Sequence, residues 1–174
     1  MASSFAPTDV DMTHLRRAIA LAAESLQAGD APFGSVLVDR SGNARHEDRN
    51  RIHTLNDGTR HPEFELARWA ATNLDAEERA GATVYTSGEH CAMCSAAHAW
   101  VGLGKIVYVA GAKQLDKWVE EEFGKGGSEG DVKGMQPVNT LDIQTVAPGI
   151  EVHGPVKELE ADIKELHRRW YAGR

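Results

Sequence analysis

The sequence predicts a three-layer α/β/α sandwich built on a mixed five-stranded sheet whose last two strands are parallel. Apolar residues alternate along the chain between helical spacings of three and four and short runs rich in valine and isoleucine. These segments follow the order helix, hairpin, helix, strand, helix, strand, helix, strand, helix, which is typical of a layered α/β domain. The connection over residues 111–149 is too long for a hairpin, so we expect the strands that flank it to run parallel.

The N-terminal part predicts a helix followed by a hairpin. The helix begins near Thr8, and Gly29 is suited to the left-handed position that ends it. Its apolar stripe consists of Met12, Leu15, Ile19, Ala22 and Leu26. Residues 35–38 form a short strand, and residues 39–43 form a turn into a second strand. Residues 49–60 are expected to be a polar loop.

The central part predicts two helices and two strands. His61 is suited to a helix N-cap because Pro62 then occupies the first helical position, where proline loses no needed donor. That helix continues to Leu74, and a strand follows at residues 83–86. A second, short helix begins near Cys91 and ends at Gly102 or Gly104. Residues 105–110, Lys-Ile-Val-Tyr-Val-Ala, give the clearest strand in the chain.

The C-terminal part predicts one more strand and an amphipathic helix. Five glycines among residues 124–134 indicate a mobile loop. Residues 150–153 then form the last strand. The helix that follows has an apolar stripe of Val156, Leu159, Ile163, Leu166 and Trp170. We find neither an internal repeat nor a linker, so residues 1–174 are expected to form a single domain.

The composition bounds the class of protein. The chain has 174 residues, 41% hydrophobic and 26% charged, as in ordinary globular proteins. Nineteen basic against 26 acidic residues give a net charge of −7, which disfavours nucleic acid as a partner. We expect a cytoplasmic protein without membrane contact, because the N-terminus lacks a signal-peptide pattern and no apolar run is long enough to span a bilayer. Two cysteines give no disulfide framework.

One pair of motifs carries metal chemistry. Cys91 and Cys94 are one helical turn apart, so both sulfurs can face one point, and a helix N-terminus lowers the pKa of such thiols. His61 supplies a third ligand. Catalytic zinc keeps three protein ligands and a place for water, whereas structural zinc normally has four. Glu63 is then a spare carboxylate within reach of that water, as a general base requires.

These motifs resemble the H-x-E and P-C-x-x-C signature of zinc deaminases. Further matches are Ala31-Pro32-Phe33-Gly34-Ser35-Val36, Asn50-Arg51, Asp57-Gly58-Thr59 and Thr86-Ser87-Gly88-Glu89-His90-Cys91. Over roughly residues 10–110 the chain is similar to the cytidine/deoxycytidylate deaminase superfamily, in its nucleobase branch of guanine and cytosine deaminases. Two positions depart from the pattern, namely Pro62 inside H-x-E and His90 in place of the proline before the first cysteine.

The resemblance implies a cytidine-deaminase-like fold and zinc-dependent hydrolytic deamination of a free nucleobase, with release of ammonia. Guanine, cytosine, and aza-analogues or s-triazines such as ammeline are the substrates it suggests. It implies one zinc per chain, small-molecule bases as binding partners and a homodimer. His61, Cys91 and Cys94 would be the metal ligands, and Glu63 the catalytic residue. Substrate contacts would come from Asn50, Phe33, His90 and Trp118.

Three other interpretations remain open at this point. A tRNA adenosine deaminase has the same core. A structural zinc site could use His90 as a fourth ligand, and a lone CxxC at a helix start also suits a redox pair. Trp100 is expected in the core, whereas Glu120-Glu121-Glu122 fit equally a solvated helix face and a substrate-reading segment.

Overall fold

The computed structural model describes residues 5–123 and 138–173, so the predicted loop at residues 124–134 lies outside the described residues. The elements follow in the order α1 (Asp9–Gln27), β1 (Gly34–Val38), β2 (Ala44–Arg49), α2 (Ile52–Leu55), α3 (Pro62–Asn73), α4 (Ala76–Gly81), β3 (Thr83–Gly88), α5 (Ala92–Val101), β4 (Lys105–Ala110), α6 (Ala112–Phe123), α7 (Ile143–Val146), β5 (Val152–His153), a 3₁₀ turn (Lys157–Leu159) and α8 (Glu160–Ala172). None of the helices in these two ranges combines the length and the apolar character that a membrane span needs.

The five strands form one mixed sheet in the order β2-β1-β3-β4-β5. Strand β1 pairs antiparallel with β2 and β3, whereas β3–β4 and β4–β5 are parallel. Val107 of β4 lies opposite Tyr85 on one side and His153 on the other. The predicted mixed sheet with parallel last strands is therefore confirmed.

Successive side chains of the strands divide the core into two layers, because residues of a strand point to opposite faces in turn. Val36 and Val38 of β1 pack into a cluster that includes residues of α1 and α8. Leu37, between them, packs with Leu66 of α3. The sheet therefore lies between α1 and α8 on one face and α3 and α5 on the other, which confirms the three-layer prediction.

The helix ends follow the local sequence. Thr8 caps α1 in a reciprocal capping box with Asp11, and Gly29 has the positive φ of 85° that ends this helix. His61 is the N-cap of α3 and Pro62 its first residue, as predicted. Gly102 ends α5 in the left-handed conformation. These local signals fix where the helices that bear the site begin.

The structure corrects several boundaries. Residues 49–60 are not entirely loop, because Arg49 still belongs to β2 and residues 52–55 form α2. The last strand has two residues instead of four, and the C-terminal helix begins at Glu160. The prediction for Trp100 was wrong: its side chain is 89% exposed, since Cys94, Ser95 and His98 define the buried face of α5.

Candidate active site

The three predicted metal ligands converge at the N-termini of two helices. His61 caps α3, while Cys91 caps α5 and Cys94 lies in its first turn. The Nδ1 atom of His61 is 3.7 Å from each sulfur, and the two sulfurs are 3.5 Å apart. Both cysteines are free thiols. Among the described residues these three side chains form a group able to hold one metal ion.

These separations fit a tetrahedral zinc ion. Zinc–sulfur bonds of about 2.3 Å and zinc–nitrogen bonds of about 2.0 Å place two sulfurs about 3.8 Å apart and a sulfur and a nitrogen about 3.5 Å apart. The distances between the side chains of His61, Cys91 and Cys94 are within 0.3 Å of these values by that arithmetic. One imidazole nitrogen and two thiolates are a donor set that zinc prefers, and they leave one tetrahedral position for a further ligand.

Glu63 lies beside this group without belonging to it. Its carboxylate is buried, with 5% of the residue exposed. Oε2 is 3.9 Å from the sulfur of Cys94, and Oε1 accepts a hydrogen bond of 3.0 Å from the hydroxyl of Thr86. The Thr86 oxygen in turn accepts a bond of 2.9 Å from the Ser35 hydroxyl. This chain of buried hydroxyls fixes the direction in which the carboxylate points.

The protein shifts the pKa values of all four groups. Burial raises the pKa of Glu63 above its ordinary value, although the nearby His61 opposes the shift. Burial lowers the pKa of His61, but the Cys91 thiol and the charge of Glu63 outweigh it, so the pKa is raised. The hydrogen bond from Cys94 lowers the pKa of Cys91 to about 4, whereas Cys94 itself is raised well above the ordinary value by the same bond and by burial. The two thiols thus behave as a coupled pair in which the first proton leaves easily, and a divalent cation favours loss of the second.

Asn50 is buried and held in one orientation. Its N–H donates to the Phe33 carbonyl at 2.9 Å, and its Oδ1 accepts from the N–H of Ile52 at 3.0 Å. Arg51 donates to the carbonyl of Arg60 at 3.1 Å, which joins the segment after Asn50 to the one before His61. Because the Ile52 N–H can only donate, the amide oxygen must face it, and the Nδ2 group is left to donate elsewhere.

Phe33 lies against the end of β3. A Cβ atom on Gly88 would come within 2.8 Å of the Phe33 ring, so glycine is needed for this contact. The ring also meets His167 of α8 edge-on, at 5.0 Å between centroids. Gly88 is three residues before Cys91, so the half-buried Phe33 lies at the end of β3 that leads to the metal ligand Cys91.

His90 is buried, and neither of its ring nitrogens has a hydrogen-bond partner among the described residues. Its ring meets His98 edge-on at 5.4 Å. Burial, aided by His98 and His61, lowers its pKa well below the ordinary value, so the ring is neutral. His90 is not part of the metal group found in the described residues, so the structural-zinc interpretation with His90 as a fourth ligand receives no support.

Trp118 packs in the core of the α1 and α8 face. It belongs to the cluster that includes Val109 and Leu166, and the Lys164 ammonium lies 5.5 Å from the centre of its ring. These contacts join α6 to α8. Its role as a substrate contact stays a prediction. Glu120, Glu121 and Glu122 lie on the exposed side of α6.

Comparison with known proteins decides the family. Residues 8–110 match the model of the cytidine and deoxycytidylate deaminase zinc-binding region. The chain belongs to this family. The match spans more than half of the chain and contains every residue of the metal group and Glu63. The protein is therefore a zinc-binding deaminase, a hydrolase that acts on carbon–nitrogen bonds.

Relatives of this deaminase carry several substrate names. A probable cytosine deaminase of Schizosaccharomyces pombe is 31% identical over 173 residues, which is 98% of each chain. A guanine deaminase of Bacillus subtilis is 38% identical over 99 residues, 56% of this chain and 63% of that one. A solved structure from a study of tRNA:A34 deaminases has a TM-score of 0.61 and 25% identity, covering 89% of this chain and 99% of that one.

The structure also adds residues to the deaminase site that the sequence did not predict. Thr86 and Ser35 orient Glu63; both lie in motifs that resemble the family, but the sequence predicted no role for either. Next to Asn50, the half-buried Arg49 forms an ion pair with the buried Asp30 at an N–O distance of 2.9 Å. Asp30 lies one residue before the family motif that begins at Ala31, but only the folded chain brings its carboxylate to residues 49–54.

Proposed function

We propose that the protein deaminates a free, amino-substituted nucleobase or a close analogue, with guanine, cytosine and s-triazines such as ammeline as the substrate class. The observation that carries this proposal is the Glu63 carboxylate, which lies beside a three-ligand metal group without joining it. A structural metal site has no use for such a group. Hydrolysis needs it, because a proton must leave the attacking water and reach the departing amine.

The chain's own residues account for the proton transfers. Zinc, when bound, lowers the pKa of a coordinated water to about 7. His61, Cys91 and Cys94 would hold the ion. Glu63 would take one proton of the water and pass it to the ring nitrogen, and would then take the second and pass it to the leaving amine. Water adds to the amino-bearing carbon, the carbon–nitrogen bond breaks, and ammonia leaves while the carbon keeps an oxygen. Burial raises the pKa of the Glu63 carboxyl above its ordinary value, which makes it a better proton acceptor than an exposed carboxylate.

The orientation of the Asn50 amide favours a substrate base that offers a hydrogen-bond acceptor. Its Oδ1 is used by the Ile52 N–H, so its Nδ2 is the group available to a ligand. A carbonyl oxygen or an unprotonated ring nitrogen pairs with that donor, whereas a second amino group does not. Guanine, cytosine and ammeline all meet this requirement. In the proposed site Phe33 packs against the ring face, and His90 offers one donor and one acceptor nitrogen.

A tRNA adenosine deaminase is the second candidate, because the solved tRNA:A34 deaminase structure has the same fold. Two observations favour the free base. The net charge of −7 opposes the approach of a polyanion, and a relative that aligns over 98% of this chain and of its own length is named a probable cytosine deaminase.

The experiment is a substrate panel scored by ammonia release from the zinc-loaded protein. The panel contains guanine, cytosine, adenine, their nucleosides, ammeline and an anticodon stem-loop RNA. We expect turnover of at least one free base and none of the RNA. The Glu63→Gln variant should bind zinc yet lose activity by about 100-fold to 10,000-fold. Preference for a nucleoside or for the RNA would contradict the base assignment, and an active Glu63→Gln variant would contradict the site.

We also propose that the protein works in the cytoplasm as a homodimer formed by the single domain of residues 1–174. Zinc ligation by two free thiols fits a reducing compartment. Trp100, 89% exposed on α5, supports a protein contact because tryptophan is enriched at interfaces. Analytical ultracentrifugation over a range of concentrations tests this assembly. A monomer that keeps full specific activity at high dilution would contradict it.

A further inference from the structure

Asp30 is a fully buried carboxylate in the turn after α1, and the proposed chemistry does not use it. It is 0% exposed and accepts four hydrogen bonds. The donors are the N–H of His53 at 2.8 Å, the N–H of Thr54 at 2.9 Å, the Thr54 hydroxyl, and Nη1 of Arg49 at 2.9 Å. Burial raises the pKa of Asp30, but the bonds from Thr54, Arg49 and His53 outweigh it and hold the pKa below its ordinary value, so the carboxylate is charged.

These donors lie on both sides of Asn50 in the sequence. Arg49 immediately precedes it, and His53 and Thr54 follow in the next turn of chain. The Nη1 group of Arg49, while bound to Asp30, also donates to the Asn50 carbonyl at 2.8 Å. One carboxylate thus fixes the chain before and after the residue that presents its amide to the ligand.

The remaining bonds of Asn50 depend on this arrangement. Its Oδ1 accepts from Ile52, whose position is set by the short helix that Asp30 binds at the next two amides. The Ser25 hydroxyl lies 2.8 Å from the Ala31 carbonyl and 3.0 Å from that of Asn50, and one proton cannot serve both fully. Arg49 is therefore the dependable donor to the Asn50 carbonyl.

We propose that Asp30 is a positioning residue for substrate binding: through Arg49 and the amides of His53 and Thr54 it holds Asn50 in the orientation in which Nδ2 faces the base. This inference rests on the proposed function, since it takes Asn50 as a substrate contact. Burying a charge is costly, and apolar side chains of similar size at positions 30 and 49 would fill the same space without that cost. The ion pair is therefore explained by the geometry it imposes on the chain around Asn50.

The first test is the Asp30→Asn variant, which keeps the shape but turns an NH₂ group toward donors. For the best base of the panel we expect KM to rise about tenfold, as loss of an ordinary hydrogen bond allows, with kcat within about threefold. Asp11→Asn is the matched control, because Asp11 is also a buried acid and accepts a bond of 2.6 Å from Tyr85 on the α1 face. It should lower stability and leave KM unchanged. Equal KM values for wild type and Asp30→Asn would overturn the proposal.

A double-mutant cycle shows whether Asp30 acts through Asn50. Asn50→Ala should raise KM at least as much as Asp30→Asn does, and the double variant should match Asn50→Ala within about twofold. If KM of the double variant instead rises by the product of the two single effects, Asp30 acts independently of Asn50, which contradicts the proposal. If Asp30→Asn does not fold, Arg49→Lys tests the same link from the half-buried side, and an unchanged KM in that variant counts equally against it.

Amide hydrogen exchange separates this inference from the proposed function. In zinc-loaded protein the Ile52, His53 and Thr54 amides should exchange about tenfold faster in Asp30→Asn than in wild type, whereas Asp11→Asn should leave them unchanged. If the wild type turns over no base of the panel, the proposed function fails. The exchange measurement still tests whether Asp30 holds the segment after Asn50 in place. Unchanged exchange in Asp30→Asn would overturn the positioning role even in an active enzyme.

Discussion

The two faces of the sheet differ in what they bury. The face covered by α1 and α8 is mainly apolar, with large fully buried side chains such as Leu15 and Ile163. The face covered by α3 and α5 buries Glu63, His98 and Cys94, all of them titratable. Both faces contain an apolar cluster that stabilises the fold, but the second also needs partners for the polar groups near the metal group. We infer that the chemistry is concentrated on the α3 and α5 face.

Removal of a metal ligand should give the largest effect and confine it to the α3 and α5 face. Cys94→Ala leaves two of the three ligands, too few to hold zinc firmly. We expect zinc per chain, measured by atomic absorption, to fall from about one to a small fraction, and base deamination to become undetectable. A variant that retains one zinc and normal turnover would show that the metal site lies elsewhere.

A cavity on the opposite face should affect stability and spare the chemistry. Leu15 is 0% exposed in the α1 cluster. Leu15→Ala should lower the free energy of unfolding by about 2–5 kcal/mol in urea denaturation. Zinc content and kcat of the folded fraction should match the wild type. Loss of zinc at temperatures where the variant is still folded would mean that the two faces are not independent.

The hydroxyl chain to Glu63 offers a smaller, graded effect. Thr86→Val keeps the shape of the side chain but removes the donor to Glu63. We expect kcat to fall about 10-fold to 100-fold with zinc retained, because such supporting bonds orient the reacting group. Ser35→Ala removes a hydrogen bond one step further from the carboxylate and should lower kcat less than Thr86→Val does. The reverse order would contradict the chain from Ser35 through Thr86 to Glu63.

His167 is a titratable residue of the largely apolar face, and it should give the smallest effect. Burial lowers its pKa from the ordinary 6.5 to about 3, so the unfolded chain takes up a proton that the folded protein refuses. Its contribution lowers stability as the pH falls from about 6.5 toward 3, by roughly 1.4 kcal/mol per pH unit. His167→Gln should reduce the loss between pH 6.5 and 5.5 by about 1 kcal/mol in urea denaturation, because the unfolded ring is already half protonated at pH 6.5. Identical pH slopes for the two proteins would contradict the assignment of a buried neutral ring.

Local patterns predicted most of the framework. The stripe from Met12 to Leu26 and the signals at Thr8, Gly29 and Pro62 gave the helices, because helix periodicity and caps depend on neighbouring residues. Trp100 was placed wrongly because α5 has apolar residues on several sides. The spacing of these residues therefore does not reveal which face of the helix is buried. Helix α4 and the single turn of α2 were missed since short helices carry too few residues for a period to appear.

The sequence by itself determined the deaminase family: the pattern of His61, Glu63, Cys91 and Cys94 is recognisable because zinc ligands and a spare carboxylate must be particular residue types at particular helix positions. Only the tertiary structure decided how these groups are oriented. Thr86 reaches Glu63 across 23 residues and Asp30 reaches Thr54 across 24, and many polar residues could make either bond. Such contacts leave no spacing in the chain, because they depend on where the sheet and its loops bring distant side chains together.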